Sequence, residues 1–548
     1  MKKVIVILAI TAALALIVAC AAPPQQAAPQ PPAQPAQPVA QKGGAYTAAS
    51  FAEAVSLNPL LTQDTASSGL QGWLYASLTR RDPKTLDVVG DLYDGTPTFN
   101  ADGSKMTWKL RKGLKWSDGS PLTSADVVFT WQKMMDPNVK FPYRKLYSDA
   151  FKDVTADDEL TVTYTLTQPG FCPAVINSGL PGPIPASVYK NLDINTADVN
   201  NKPTVTSGEY SLKEWVKDDH ATFNPASKIY VRGEPNIDAR TVRIVKDNTV
   251  ATQMFKTQEI DSVGPDAKDW DEVSKLAHAQ PFNYYSLTAS WTYIGINLQH
   301  PFLKDKLVRQ AISYAIDKKE FVDKIRQGHA QPQYSIYAPS SWAYTDDVQK
   351  YAFNPAKAKD LLKQAGWTSG ADGILVKDGQ PFKIRIHFNA GNKEREQIAI
   401  ISQQYLKDVG ISAEVLSEEW NAYLARVTGT GERTRDFELF VLGWSAGAEP
   451  NGQGNIWKSN GGQNDLLYNN PELDKLFEQG ANVKGCSNDA RKPAYVKIQQ
   501  ILADDAPYVF LYSNETLAAY NKRVHVNPLT SLGVGYDTQL WWLNQKTQ

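Results

Sequence analysis

The clearest patterning in the chain lies between residues 382 and 443. Ile384, Ile386 and Phe388 alternate as on a half-buried strand. Ile398, Ile401, Tyr405 and Val409 recur at helical spacing, and Ile411, Ala413 and Val415 alternate again. Residues 420–428 carry a helical pattern, and Phe437 to Leu442 read as a continuous apolar strand. Strand–helix–strand units of this length predict parallel pairing with right-handed crossovers. Two more helices are expected, from Pro471 and around Tyr495 to Leu502, and then a strand from Tyr508 to Tyr512.

Upstream the pattern is mixed. Met106, Trp108 and Leu110 alternate, and Thr123 with Asp126 forms a capping-box pair ahead of Val127, Val128, Trp131, Met134 and Met135. Pro137 ends that helix. Residues 160–166 read as a strand, 169–185 as a Pro/Gly-rich loop, and 208–262 as hairpin-like segments. Asp305 caps a helix whose apolar stripe runs from Val308 to Ile325, with Gly328 as its C-terminal glycine. Asn354-Pro355 starts another, which ends at Gly366. A chain of 548 residues calls for several lobes rather than one core.

The N-terminus follows a different logic. Lys2 and Lys3 precede an apolar run, Val4 to Ala19, too short to span a bilayer as a stable helix. Ile17-Val18-Ala19-Cys20 resembles a bacterial lipobox, which implies cleavage before Cys20 and lipidation of it. Residues 1–19 are thus expected to be a signal peptide. Residues 20–42, dominated by Ala, Pro and Gln, are expected to be a disordered, lipid-anchored tether. The alternative is an ordinary cleaved signal with a disordered mature end.

Chemistry narrows the classes. The formal net charge is -1 with no basic block beyond Lys2-Lys3, which argues against nucleic-acid binding. None of the six histidines shares a short spacing with another or with a cysteine, so no metal or haem pattern is expected. Cys172 and Cys486 are far apart and read as buried free thiols, with a disulfide as the alternative. Gly443-Trp444-Ser445-Ala446-Gly447 matches a G-x-S-x-G nucleophile elbow, with His525 downstream. The helix that the elbow requires is replaced by the loop sequence Ala448-Glu449-Pro450-Asn451-Gly452. Gly429-Thr430-Gly431 lacks the remainder of a phosphate loop and reads as a surface turn.

Several segments together resemble the family 5 extracellular solute-binding proteins, the group that holds oligopeptide- and dipeptide-binding proteins of ABC importers. The most specific is Leu114-Lys115-Trp116-Ser117-Asp118-Gly119-Ser120-Pro121-Leu122-Thr123-Ser124-Ala125-Asp126-Val127-Val128-Phe129-Thr130. Arg309 to Asp317, Ala358 to Trp367 and Tyr468 to Asp474 follow in the same order.

The resemblance implies an α/β, two-lobe periplasmic-binding-protein-like fold of class II type, with a small domain inserted in the first lobe. The expected division is 43–85, 205–288 and 510–548 for the first lobe, 86–204 for the insert and 289–509 for the other lobe. It also implies a monomeric, non-enzymatic binder with no cofactor, which encloses a small solute between its lobes and passes it to a permease. Its contact with the membrane would be through the lipid anchor alone.

Peptide binders of the group commonly carry an aspartate three residues after the tryptophan that corresponds to Trp444. Here that position is Gly447, and Glu449 is the nearest acid. The expected ligand-binding residues are Trp444, Ser445, Gly447, Glu449, Asn451, Trp420, Trp291 and Trp342. A short peptide is the first expectation. An oligosaccharide stacked on these tryptophans is the second, and an exported serine hydrolase using Ser445 is the third.

Overall fold

The alternation at Ile384, Ile386 and Phe388 becomes strand Lys383–Asn389, which pairs in parallel with Ser412–Glu418 on one side and Leu439–Ser445 on the other. It belongs to a computed structural model that describes residues 40–544 apart from 63, 170–171, 173–181, 227–230, 288–289, 429–434, 446 and 484–485. The expected signal, Cys20, the tether up to residue 39 and the Gly429-Thr430-Gly431 turn lie outside the described residues. None of the described helices is long and apolar enough to cross a membrane.

The parallel strands form one half of a six-stranded sheet. Its order is 330–332, 508–514, 290–296, 439–445, 383–389 and 412–418. Side chains alternate between its faces. One face carries Ile384, Ile386, Leu439 and Val441 against Ile398, Ala399 and Leu406 of helix Lys393–Asp408. The other carries Tyr293, Phe440 and Leu442 against Trp420, Tyr423 and Leu424 of helix Trp420–Val427. The two crossover helices therefore cover opposite faces, as right-handed connections running in opposite directions along a sheet require.

A second body is built around strand Ala45–Ser50, which is parallel to Ala239–Ile244; strands 220–225 and 210–216 complete its sheet. A three-stranded sheet, 262–263, 516–521 and 279–284, connects the two bodies. The chain crosses between strands 279–284 and 290–296, and again between 508–514 and 516–521, where only Glu515 intervenes. The lobe boundary expected at 509/510 therefore moves to Glu515, because Tyr508–Asn514 is one unbroken strand of the six-stranded sheet. At this crossing Glu515 meets His329 (Nδ1–Oε2 2.5 Å) and Asn283 (Nδ2–Oε1 2.9 Å), and Arg326 donates to its carbonyl at 3.0 Å.

The insert holds a four-stranded sheet, ordered 98–99, 105–109, 161–166 and 151–156. Against it lies helix Ser124–Met135, whose Thr123/Asp126 capping box is formed as the sequence predicts.

Two further expectations are corrected. The single helix expected from Val308 to Ile325 breaks after Ala315: Ile316 is extended, and Asp317 restarts the helix by accepting the N–H groups of Lys319 and Glu320. A short acid that can cap a new turn competes with continuation of the old one. Cys172 and Cys486 are bonded to each other rather than free, with their Cα atoms 5.1 Å apart. Their separation of 314 residues hid this in the sequence.

Candidate ligand-binding site

The crossover from strand 383–389 runs to 412–418, and the next runs back from 412–418 past 383–389 to 439–445, so the strand order reverses there. In open parallel sheets the crevice at the carboxyl ends of the strands, at such a reversal, is where ligands bind. Here the pairing between 383–389 and 439–445 covers only Ile386 with Leu439 and His387 with Phe440. From Val441 to Ser445 the strand is paired on its other side alone, with 290–294. The sheet therefore splits at its carboxyl edge, and the first turns of both crossover helices gather at the gap.

Arg395 occupies that gap. It follows the cap Asn392, whose side chain accepts the Arg395 N–H. Its Nη1 donates to Asn389 Oδ1 at 2.6 Å, and its guanidinium lies 5.7 Å over the Trp420 ring. A Cβ added to Gly443 would be 4.0 Å from Arg395 Nη2. Among the described residues Arg395 has no carboxylate partner. Trp420 is buried, with its Nε1 lacking a hydrogen-bond partner there, and meets Phe51 of the other lobe edge-on at 5.0 Å. Trp444 is half-buried at the strand's end and donates to the Tyr508 hydroxyl at 3.4 Å.

In the first lobe, Glu53 accepts from Trp215 Nε1 at 3.1 Å and from the Asp218 N–H at 2.7 Å. A cavity of about 1040 Å³ is lined by Glu53, Ala54, Trp215 and Lys246 from the first lobe and by Glu419 and Asn421 from the second. Another, of about 940 Å³, reaches from Val55 and Phe141 to Asn421 and Thr428. Each alone is larger than a single amino acid needs.

The remaining expected site residues fall into three groups. Trp444, Ser445 and Gly447 lie at the open edge. Trp291 does not: it is fully buried among Tyr293, Tyr508 and Phe510 and presents no face for stacking. Central strand 290–296 has neighbours on both sides, which closes the core over it. Glu449, Asn451 and Trp342 belong to an internal network. Buried Arg491 forms a two-pronged ion pair with Glu449, whose Oε2 it meets at 3.2 Å, and donates to Tyr495 at 2.8 Å. Tyr495 in turn donates to Asn451 Oδ1 at 3.1 Å, and Trp342 lies 5.0 Å beneath the guanidinium. Burial is the strongest single influence and opposes the Arg491 charge, but the Glu449 hydrogen bond, the Glu449 charge and Tyr495 together outweigh it and the Arg491 pKa is raised. Glu449 also caps the turn at Pro450–Gln453. It is thus paired within the protein, and with Asn451 it also lines a cavity of about 340 Å³ beside Tyr147 and Phe477.

Among the described residues no helix that a nucleophile elbow requires follows Ser445. The next helical element is the short turn at Pro450, not a helix directly after the serine. His525 is held by Asn544 at 3.0 Å and stacks on Trp542 at 3.5 Å.

The sequence reading missed Arg395, Asn389, Phe51 and Arg491. Arg395 was findable, since it sits in the first turn after a parallel strand. Arg491 had no local signal.

Residues 87–465 match the middle region of the bacterial extracellular solute-binding proteins, family 5. Oligopeptide-binding protein AppA of Bacillus subtilis is 30% identical over 518 residues, 92% of each chain. Glutathione-binding protein GsiB of Salmonella typhimurium is 27% identical over 481 residues, 86% of this chain and 89% of that one. The structure of B. subtilis AppA in complex with a nonapeptide matches with a TM-score of 0.87 at 29% identity, covering 92% of this chain and 100% of that one. The fold is also that of DppA from Helicobacter pylori (TM-score 0.80, 24% identity, 92% and 99% covered).

Proposed function

Because this chain belongs to the family 5 bacterial extracellular solute-binding proteins, we propose that it captures oligopeptides between its lobes and delivers them to an ABC permease from a lipid anchor at Cys20. The observation that carries the peptide reading is the likeness to AppA along almost the whole of both chains.

The geometry supports it in three ways. The unpaired edge of Val441–Ser445 offers backbone donors and acceptors to an extended chain, the mode by which a peptide adds to a sheet. Arg395 beside that edge is the cation for a ligand carboxylate, and a charge-assisted bond in a closed cleft is among the stronger contacts available. Trp291, one of the four rings that an oligosaccharide reading needs, is sealed in the core, and half-buried Trp342 lies against the Arg491 guanidinium.

Lobe closure about the two crossings is the step that encloses the ligand. No reaction is assigned to Ser445. Replacing Cys20 with Ala should release the protein from the membrane with binding intact. The direct test is mass spectrometry of what denaturation releases from purified protein. Peptides are expected; a sugar, or a hydrolysed ester in an assay that Ser445→Ala abolishes, would overturn the reading.

A further inference from the structure

The insert is joined by main chain to the first lobe alone. The chain enters it after strand Val88–Gly90 and leaves through helix Ala186–Tyr189 toward strand Tyr210–Val216. Yet the insert also meets the second lobe. Lys458 pairs with Asp149 at 2.6 Å, and Gln463 donates to the Tyr143 hydroxyl at 3.4 Å. The backbones come so close that a Cβ on Gly462 would lie 1.7 Å from the Pro142 carbonyl oxygen. One link across this surface is covalent. Cys172 follows the insert strand Thr161–Leu166, and Cys486 lies between helices Pro471–Ala481 and Asn488–Asp505 of the second lobe. The Cys172 N–H donates to the Ala481 carbonyl at 2.9 Å beside the bond.

Building on the closure reading above, we infer that the Cys172–Cys486 disulfide is a leash that limits how far the lobes open, and that an extracellular dithiol releases it. Opening must part the surface that the bond spans. Ion pairs and hydrogen bonds there break and re-form, whereas a disulfide does not. Disulfide-linked Cα atoms reach only about 6.8 Å. From 5.1 Å the bond itself therefore gives little travel. With the bond intact the unliganded protein is held nearer the closed state, and removing it shifts the population toward wider opening.

The chemistry is ordinary exchange. One thiolate of the dithiol attacks a protein sulfur and breaks the S–S bond. Its second thiolate then displaces the mixed disulfide. Two electrons and two protons pass to Cys172 and Cys486, which leave as thiols, and the reductant leaves as its own disulfide.

Solution scattering on the ligand-free full chain tests this, with alkylation of the unreduced protein and peptide mapping as a check on the bond. The radius of gyration should rise when dithiothreitol is added. It should also rise in the Cys172→Ser/Cys486→Ser variant, which dithiothreitol should leave unchanged. Equal radii for oxidised, reduced and variant protein would overturn the leash, as would full alkylation of both cysteines before reduction. Should the variant fail to fold, the reduced wild type carries the test alone. A nonapeptide mixture added to the reduced protein separates the two readings. If the radius has risen on reduction and the peptides bind without shrinking it, closure fails and the leash stands.

Discussion

Trp291 and Trp444 are register partners on neighbouring strands, with side chains on the same face, yet they end in opposite surroundings. Trp291 belongs to strand 290–296, flanked by 508–514 and 439–445, and is sealed under Tyr508 and Phe510. Trp444 lies past the point where 383–389 stops pairing with its strand, and it remains half-buried at an open edge. Residue type, face and strand pairing are the same. What differs is whether a third strand continues alongside. The end of pairing thus divides a ring sealed in the core from one left half-exposed at the sheet's edge, which the proposed peptide site uses.

Cutting each side of the comparison should give opposite results. Trp291→Ala is expected to cost about 3–5 kcal/mol of stability, the range for removing a large ring from a core, in denaturant unfolding. Trp444→Ala should cost clearly less stability and lose more peptide affinity in calorimetry. If both variants lose stability equally while keeping affinity, the division fails.

Glu449 sits a few residues beyond Trp444 but falls on the structural side. Glu449→Gln removes the counter-charge of buried Arg491 and should destabilise by about 3–5 kcal/mol. An unchanged melting curve together with weakened peptide binding would return Glu449 to the ligand.

Arg395 falls on the ligand side. Arg395→Gln should weaken peptides with a free carboxylate by about 1.5–3 kcal/mol, the range for a hydrogen bond to a charged group, and barely alter stability. C-terminally amidated peptides should already bind less tightly to the wild type and be little affected by the variant. Equal affinity for acid and amide would contradict this role.

A further test concerns a buried charge with no carboxylate partner among the described residues. Burial lowers the Lys318 pKa from the ordinary 10.5 to about 7, with the Tyr334 ring 4.7 Å from its Nζ. Between those two values the unfolded chain holds more protons than the folded one, so this group makes stability rise with pH across that window. Below pH 7 both states are charged and its cost is complete. Lys318→Met should therefore be more stable than the wild type at pH 6, and the difference should shrink toward pH 10. A constant difference between pH 6 and pH 10 would show that the lysine is not buried as described.

Much of the fold was legible because local periodicity decides it. The alternation at 384–388, the helical spacing through 398–409 and the Thr123/Asp126 cap all depend on residues a few positions apart. The site was legible only in part. Trp444 and Ser445 stood out as the end of an apolar strand, but whether a ring faces core or cleft depends on how far a neighbouring strand continues. The Glu449–Arg491 pair and the Cys172–Cys486 bond join residues with no shared local pattern. The break at Ile316–Asp317 was hidden because the apolar stripe continues through it.

The central claim is that peptide binds at the open carboxyl edge of strand 439–445. Fluorine NMR of protein labelled with fluorotryptophan tests it most directly, with Trp444 and Trp291 assigned by Trp→Phe substitution. Adding a saturating nonapeptide mixture should shift the Trp444 resonance and leave that of Trp291 almost in place. Binding that shifts Trp291 as strongly, or leaves Trp444 unmoved, would contradict the account.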